Sequence, residues 1–325
     1  MRKIFAIIVS CVSFTSALYG AGCVGDSNMD RGNWGFYGRV DALGWKANQL
    51  GIQYAQTDNA INSINGSMWA PETGFRGAFR IGGGYVTECT GWALESYWTH
   101  FYQKSSITKE QFQVIALAPI VGIANELNST ASFVLNFNTV DLMLRKSFYA
   151  APCFSWEPHM GVQGIMIREQ EVSSSDGGAG LTTTTTVDSN FNGLGMTAGL
   201  GVNWDLFKCW GSWSFVGDTT VTLATGKTFY SLRNDPTSPL ANQFSHYNYQ
   251  EVRPIYDMKL GLAWESCLCS CFPLSFDLVW ESMYLPNTFK SSPKENFAAV
   301  PASGGFFQPG DLSFSGVTLT CRLGF

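Results

Sequence analysis

The sequence predicts an all-β fold, an antiparallel up-and-down transmembrane β-barrel of about ten strands, with twelve as the alternative. Three observations carry this reading: period-two alternation of apolar and polar residues, few charges beside many aromatics, and long polar connections alternating with short ones. The chain has 325 residues, 14% charged and 14% aromatic (24 Phe, 12 Tyr, 11 Trp). An ordinary soluble domain is roughly 25% charged. Mean hydropathy is only +0.02, so the apolar residues are interleaved with polar ones rather than blocked together. The aromatic content excludes a disordered chain, and a net charge of -5 excludes a basic nucleic-acid binder.

Residues 1–22 read as a secretory signal peptide and 23–325 as a single barrel domain. Arg2 and Lys3 precede the apolar run Ile4 to Phe14, and small residues follow to Gly22. The run is too short to span a bilayer, which takes about 20 residues. Phe112 to Ala124, the most apolar later stretch, is also too short and holds Pro119.

Strand candidates follow in order. Residues 33–46 place Phe36, Val40 and Ala42 against Tyr37, Arg39 and Asp41. Phe75, Phe79 and Ile81 oppose Arg76, Ala78 and Arg80; Trp92, Leu94 and Trp98 share one face of 91–103. Residues 131–145 begin with Phe133, Leu135 and Phe137 outward and continue with Val140, Leu142 and Leu144, a slip that one bulge explains. Segments 153–169 and 211–230 flank Met196, Ala198, Leu200, Val202, Trp204 and Leu206, which alternate with Thr197, Gly199, Gly201, Asn203 and Asp205. Tyr256, Met258, Leu260, Leu262 and Trp264 alternate with Asp257, Lys259, Gly261, Ala263 and Glu265. Leu274, Phe276, Leu278 and Trp280 alternate with Ser275, Asp277, Val279 and Glu281. The last segment runs Val317, Leu319, Cys321, Leu323, Phe325; this closing pattern reads as an assembly signal carried by Leu319, Leu323 and Phe325.

Long connections are expected near 47–73, 104–130, 170–189, 231–250 and 287–309, with the threonine run 182–186 in an external loop. Short ones are expected near 88–91, 146–152, 207–211 and 266–272. Short periplasmic turns and long external loops are the barrel arrangement. Residues 108–130 could instead hold a loop helix or a further hairpin, which gives the twelve-stranded alternative.

The apolar faces carry the tryptophans, and the opposite faces carry charge. Packing those charges into a closed core is costly without pairing. The sequence therefore points the apolar face to lipid and lines a wet lumen with Arg76, Arg80, Asp257, Lys259, Asp277, Glu281 and Arg322. Eight of the nine cysteines lie beyond the leader, and Cys89, Cys153, Cys209, Cys267, Cys269 and Cys271 fall at short turns, candidates for disulfides in an oxidising compartment. No metal site is expected, since Cys-x-x-Cys pairing is absent. Only three histidines occur, and no nucleophile motif or phosphate loop stands out. The reading includes no catalytic residue, no enzyme activity and no cofactor.

Gly74-Phe75-Arg76, Ile81 to Tyr85, Tyr97 to Phe101, Asn138 to Lys146, Pro158 to Val162, Asn192 to Met196, Gly261 to Trp264, Trp280-Glu281 and Gly316 to Leu319 occur in an order that resembles the Legionella-type major outer-membrane protein family, a pore-forming group also present in environmental chlamydiae. The resemblance runs from about Gly74 to Phe325. It implies a porin-like barrel in a Gram-negative outer membrane and supplies no catalytic site. The cysteine load departs from it and looks more like disulfide-linked chlamydial envelopes. The expected function is diffusion of small hydrophilic solutes and ions. The alternative is a structural, disulfide-linked or adhesive envelope protein with the barrel as scaffold. Expected partners are outer-membrane lipid, the barrel-assembly machinery, small hydrophilic solutes and a homo-oligomer or disulfide-linked envelope proteins, without nucleic acid.

Overall fold

The computed structural model describes residues 35–50, 52, 55–57, 68–87, 91–116, 126–151, 153–176, 182–208, 211–236, 243–268, 272–289 and 310–325. The leader assigned to residues 1–22 lies outside them. Thirteen strands occur: β1 (Phe36–Gln49), β2 (Ala55–Thr57), β3 (Met68–Trp69), β4 (Phe75–Val86), β5 (Trp92–Ala116), β6 (Glu126–Lys146), β7 (Phe148–Ala151), β8 (Phe154–Asp176), β9 (Thr182–Lys208), β10 (Ser212–Pro236), β11 (Gln243–Leu268), β12 (Phe272–Phe289) and β13 (Gly310–Gly324). Ten of them close a barrel in the order β5-β4-β1-β13-β12-β11-β10-β9-β8-β6, with β6 pairing back to β5. Every pair is antiparallel, and β1 closes against β13 from Tyr37↔Gly324 to Gln49↔Leu312. The short β2 and β3 add to the far end of β5 through Ala55↔Ala116, and β7 pairs with β8.

Closure follows from the lack of any edge that lipid could leave unsatisfied. The described short connections and the C-terminus lie at one end, here the turn end. Thr87 N–H bonds the Trp92 carbonyl (2.8 Å) across one turn, and Phe325 N–H bonds the Phe36 carbonyl (2.9 Å). Gly211 precedes β10 at φ 117°, a backbone conformation that side-chain-bearing residues rarely adopt. Strands β9 and β11 have 27 and 26 residues, far more than the roughly 9–11 that cross a bilayer. The barrel wall therefore continues well past the membrane at the loop end.

The long strands have two zones because of that excess length. Toward the turn end the outer face is apolar: Leu142, Met160, Met196, Leu200, Leu262 and Leu278 are all exposed. Aromatic pairs rim this zone, with Phe36–Tyr85, Phe148–Trp156 and Trp264–Phe276 near the turns and Phe79–Trp98 and Tyr256–Tyr284 further up. From Tyr256 to Trp264 the strand covers roughly 26 Å, close to the ~25 Å apolar band of an outer-membrane barrel. Above it the faces exchange character. On β13 the outward residues change from Val317 and Leu319 to Ser313 and Ser315, while the inward ones change from Thr318 and Thr320 to Phe314 and Leu312.

This exchange corrects the bulge expected in 131–145. The β6–β8 register is unbroken from Asn128↔Asp176 to Arg145↔His159. Phe133, Leu135 and Phe137 face inward and are wholly buried, on the same side as Asp141 and Met143. The side chains did not slip; their surroundings changed from lipid outside to water outside. Two further expectations are corrected. The threonine run 182–186 begins β9 and pairs with β8 and β10. Much of 108–130 and of 170–189 and 231–250 extends barrel strands instead of forming loops, while the expected count of ten strands holds against the alternative of twelve.

Candidate functional site

The inside of the barrel has two layers. Trp45, Phe101, Phe133, Leu135, Phe137, Ile165, Ile167, Phe191, Leu312 and Phe314 form one buried apolar cluster. Phe314 sits at its centre, 5.5 Å from Trp45, 5.2 Å from Phe101 and 4.8 Å from Phe137 by ring centroid. Below it, toward the turn end, lies a cavity of about 150 Å³ lined by seven carboxylates and five cationic side chains. Gly91 and Ser147, at the turns, are part of that lining.

Arg80 on β4 stands at the boundary. Its guanidinium donates to Asp41 of β1 (3.0 Å), to Glu281 of β12 (2.8 Å) and to Thr99 of β5 (2.9 Å). It also lies 5.8 Å from the Trp45 ring and 5.6 Å from the Tyr97 ring. Glu281 is held further by Lys259 (3.2 Å) and Thr318 (2.8 Å), and Lys259 reaches Asp257 (3.1 Å). Arg39 forks onto both oxygens of Asp41 (2.8 Å each). Fully buried charges are tolerated only when paired and hydrogen-bonded in this way.

A second group occupies the opposite wall. Arg145 on β6 bonds Glu157 of β8 (2.9 Å), with Glu95 and Asp218 at 3.7 and 3.8 Å. Tyr37 donates to Glu95 (2.6 Å). His159 contacts Thr220 (3.1 Å), and its ring lies over Gly199, where any Cβ would collide with it. Nearer the turn end Arg322 pairs with Asp277 at 2.7 Å. Asp141 accepts from Gln163 (2.6 Å) and Thr139 (3.1 Å).

Six of the seven sequence-selected lumen residues thus lie on the inner wall: Arg80, Asp257, Lys259, Asp277 and Arg322 line the cavity, and Glu281 is buried behind Arg80. Arg76 does not join them. The β4–β5 ladder stops at Phe79↔His100, so Arg76 sits at an open edge, exposed, donating to the Lys104 carbonyl at 3.4 Å. Sequence selection passed over Arg39, Asp41, Glu95, Asp141, Arg145, Glu157 and Asp218. Arg39 and Asp41 were visible as the polar phase of β1; the apolar cluster had no such signal, because it occupies the phase that carries charge elsewhere.

Leu319, Leu323 and Phe325 lie on the outer face of the closing strand or at its end. Cys153 is exposed at a turn, with a free thiol. Cys89, Cys209, Cys269 and Cys271 fall outside the described residues, and of Cys267 only the backbone is described. Among the described residues no group of three or more His, Cys, Asp or Glu could hold a metal ion.

A closed antiparallel barrel with a lipid-facing apolar band and a charged interior defines a membrane β-barrel protein. The chain belongs to the family described as Legionella pneumophila major outer membrane protein precursor, whose model matches residues 30–325. No curated protein matches it. Among solved structures it is similar to the outer membrane protease OmpT from Escherichia coli (8% identity, 90% of this chain and 97% of that one, TM-score 0.45). It is also similar to a Pseudomonas aeruginosa FadL homologue (8% identity, 89% of each chain, TM-score 0.27) and to the Ralstonia pickettii toluene transporter TbuX (9% identity, 96% and 100%, TM-score 0.19). At those scores the likenesses add nothing to the argument. The family and the closed barrel make this an outer-membrane barrel protein.

Proposed function

We propose that the protein is a narrow, non-enzymatic porin of the bacterial outer membrane that passes small hydrophilic solutes and ions, its turn end facing the periplasm. The observation that carries this is the charged cavity below the apolar cluster. An interior kept open and lined with ionisable groups is what a water path needs, and a scaffold has no need of one. Seven carboxylates against five cationic groups leave the wall anionic, so cations are preferred over anions. The apolar cluster acts as a gate, since apolar constrictions close a water path by dewetting. Conductance of purified protein in a planar bilayer tests this. The expected result is small discrete steps, with a reversal potential of cationic sign in a salt gradient. Folded protein that gives no steps overturns the porin reading.

The second reading is a structural envelope barrel, favoured by the packed apolar layer and by the exposed Cys153 thiol. Cys153 would then cross-link to neighbouring envelope proteins. A non-reducing gel of whole envelopes showing only monomer, in wild type and in Cys153→Ser alike, removes this reading.

A further inference from the structure

On the loop side of the apolar cluster, two inward rows of the wall that pass through its members Leu135 and Phe133 also hold polar groups that nothing satisfies. Gln103 on β5 is 1% exposed, yet neither its amide nitrogen nor its carbonyl oxygen has a hydrogen-bond partner. Ser105 Oγ and Glu169 Oε1 are buried and unpartnered in the same way. The registers bring these residues to one place. Gln103 pairs with Leu135, and Leu135 pairs with Glu169; Ser105 pairs with Phe133, and Phe133 pairs with Glu171. Strands β5 and β8 therefore run parallel on either side of β6, roughly 10 Å apart at two strand spacings. Each row carries one carboxylate and one neutral oxygen donor, and the concave wall turns all four inward. Arg253, whose charge reaches Glu169, makes its hydrogen bonds elsewhere. It holds Glu251 (2.7 Å) and the Thr288 carbonyl (3.3 Å), and no ion pair joins it to either glutamate.

A buried carboxylate without a partner is costly, and it is relieved either by a proton or by a cation. We propose that Gln103, Ser105, Glu169 and Glu171 form a binding site for a hard cation of the calcium class inside the loop-end half of the barrel. The donors are all oxygen, which selects hard cations over zinc or copper. Donors on two strands about 10 Å apart form a wide, irregular set, which suits the long bonds and flexible geometry of calcium better than the short, strict octahedron of magnesium. Protonation of the glutamates alone is the rival outcome.

The experiment uses full-length protein in detergent, stripped with EDTA and verified as folded by its heat-dependent gel mobility. Terbium(III) is the probe. Tyr230 lies in the row of Glu169, through Glu169↔Ser189 and Ser189↔Tyr230, and can sensitise its luminescence. The expected result is saturable luminescence that calcium displaces, with a calcium-dependent rise in thermal midpoint. Glu169→Gln/Glu171→Gln should weaken binding about tenfold or more, a differential of ~1.4 kcal/mol at the least, and Gln103→Ala should weaken it severalfold. Asp188→Asn, on the outward face of β9, should leave it unchanged. No saturable binding in the wild type, or equal binding in the double variant, overturns the site and leaves protonation as the answer. If the double variant does not fold, Gln103→Ala decides, and an unchanged affinity overturns the proposal.

Discussion

The two halves of the barrel interior are built from the same strands and solve opposite problems. In the turn-end half the wall faces lipid, so apolar side chains leave the interior to Arg80, Glu281, Lys259, Arg145 and their partners, which are held by short ion pairs. In the loop-end half the wall faces water, so polar side chains point out and Phe101, Phe137, Phe191 and Phe314 close the interior. Between β6 and β8 a single register runs through both halves. The solvent outside, rather than any break in the chain, decides what fills the inside. One half is thereby left open and charged, and the other is packed with rings around the few polar groups of Gln103, Ser105, Glu169 and Glu171.

Predictions that break this comparison can be ranked by expected effect. Arg80→Leu should be the most damaging, since it strips Asp41 and Glu281 of a shared partner where both are nearly inaccessible. Removing one member of a buried pair costs about 3–5 kcal/mol, read as a lower unfolding midpoint in detergent. Phe314→Ala should destabilise by about 3 kcal/mol, at the lower end of aromatic truncations because its neighbours are themselves large rings. It should also raise single-channel conductance severalfold if the cluster is the gate. Asp277→Asn frees Arg322, which is partly exposed, so stability should fall by less than in Arg80→Leu while cation preference falls. Met196→Ala, on the lipid face, should be nearly silent in both readouts, because lipid is as apolar as the side chain it replaces.

The membrane-zone parts of strands β11 and β12 were legible in the sequence. Their alternation from Tyr256 to Trp264 and from Leu274 to Glu281 lies inside the membrane zone, where outward always means apolar. Segment 131–145 was misread because it crosses the level where that rule reverses; a change of phase in hydropathy looks the same as a bulge when the strand's depth is unknown. Arg76 was placed on the correct phase but in the wrong surroundings, since alternation does not reveal that the β4–β5 ladder ends three residues later, at Phe79. Arg145 was hidden beside Lys146 at a turn, where a charge reads as solvated. Its role emerges only once β6, β8 and β10 curve toward one another and bring Glu157 and Asp218 to it.

Depth-dependent labelling along β6 tests the two-zone interior most directly. Single cysteines at 134, 135, 136, 137, 141, 142, 143 and 144 would be exposed, in membrane vesicles, to a small charged thiol reagent, with the labelling of native thiols subtracted. Reaction is expected at the outward positions Val134 and Asn136 and at the inward positions Asp141 and Met143. Protection is expected at Leu135 and Phe137 by the apolar cluster and at Leu142 and Leu144 by lipid. Labelling that keeps one parity along the whole strand would contradict the two-zone interior, as would free access to Phe137.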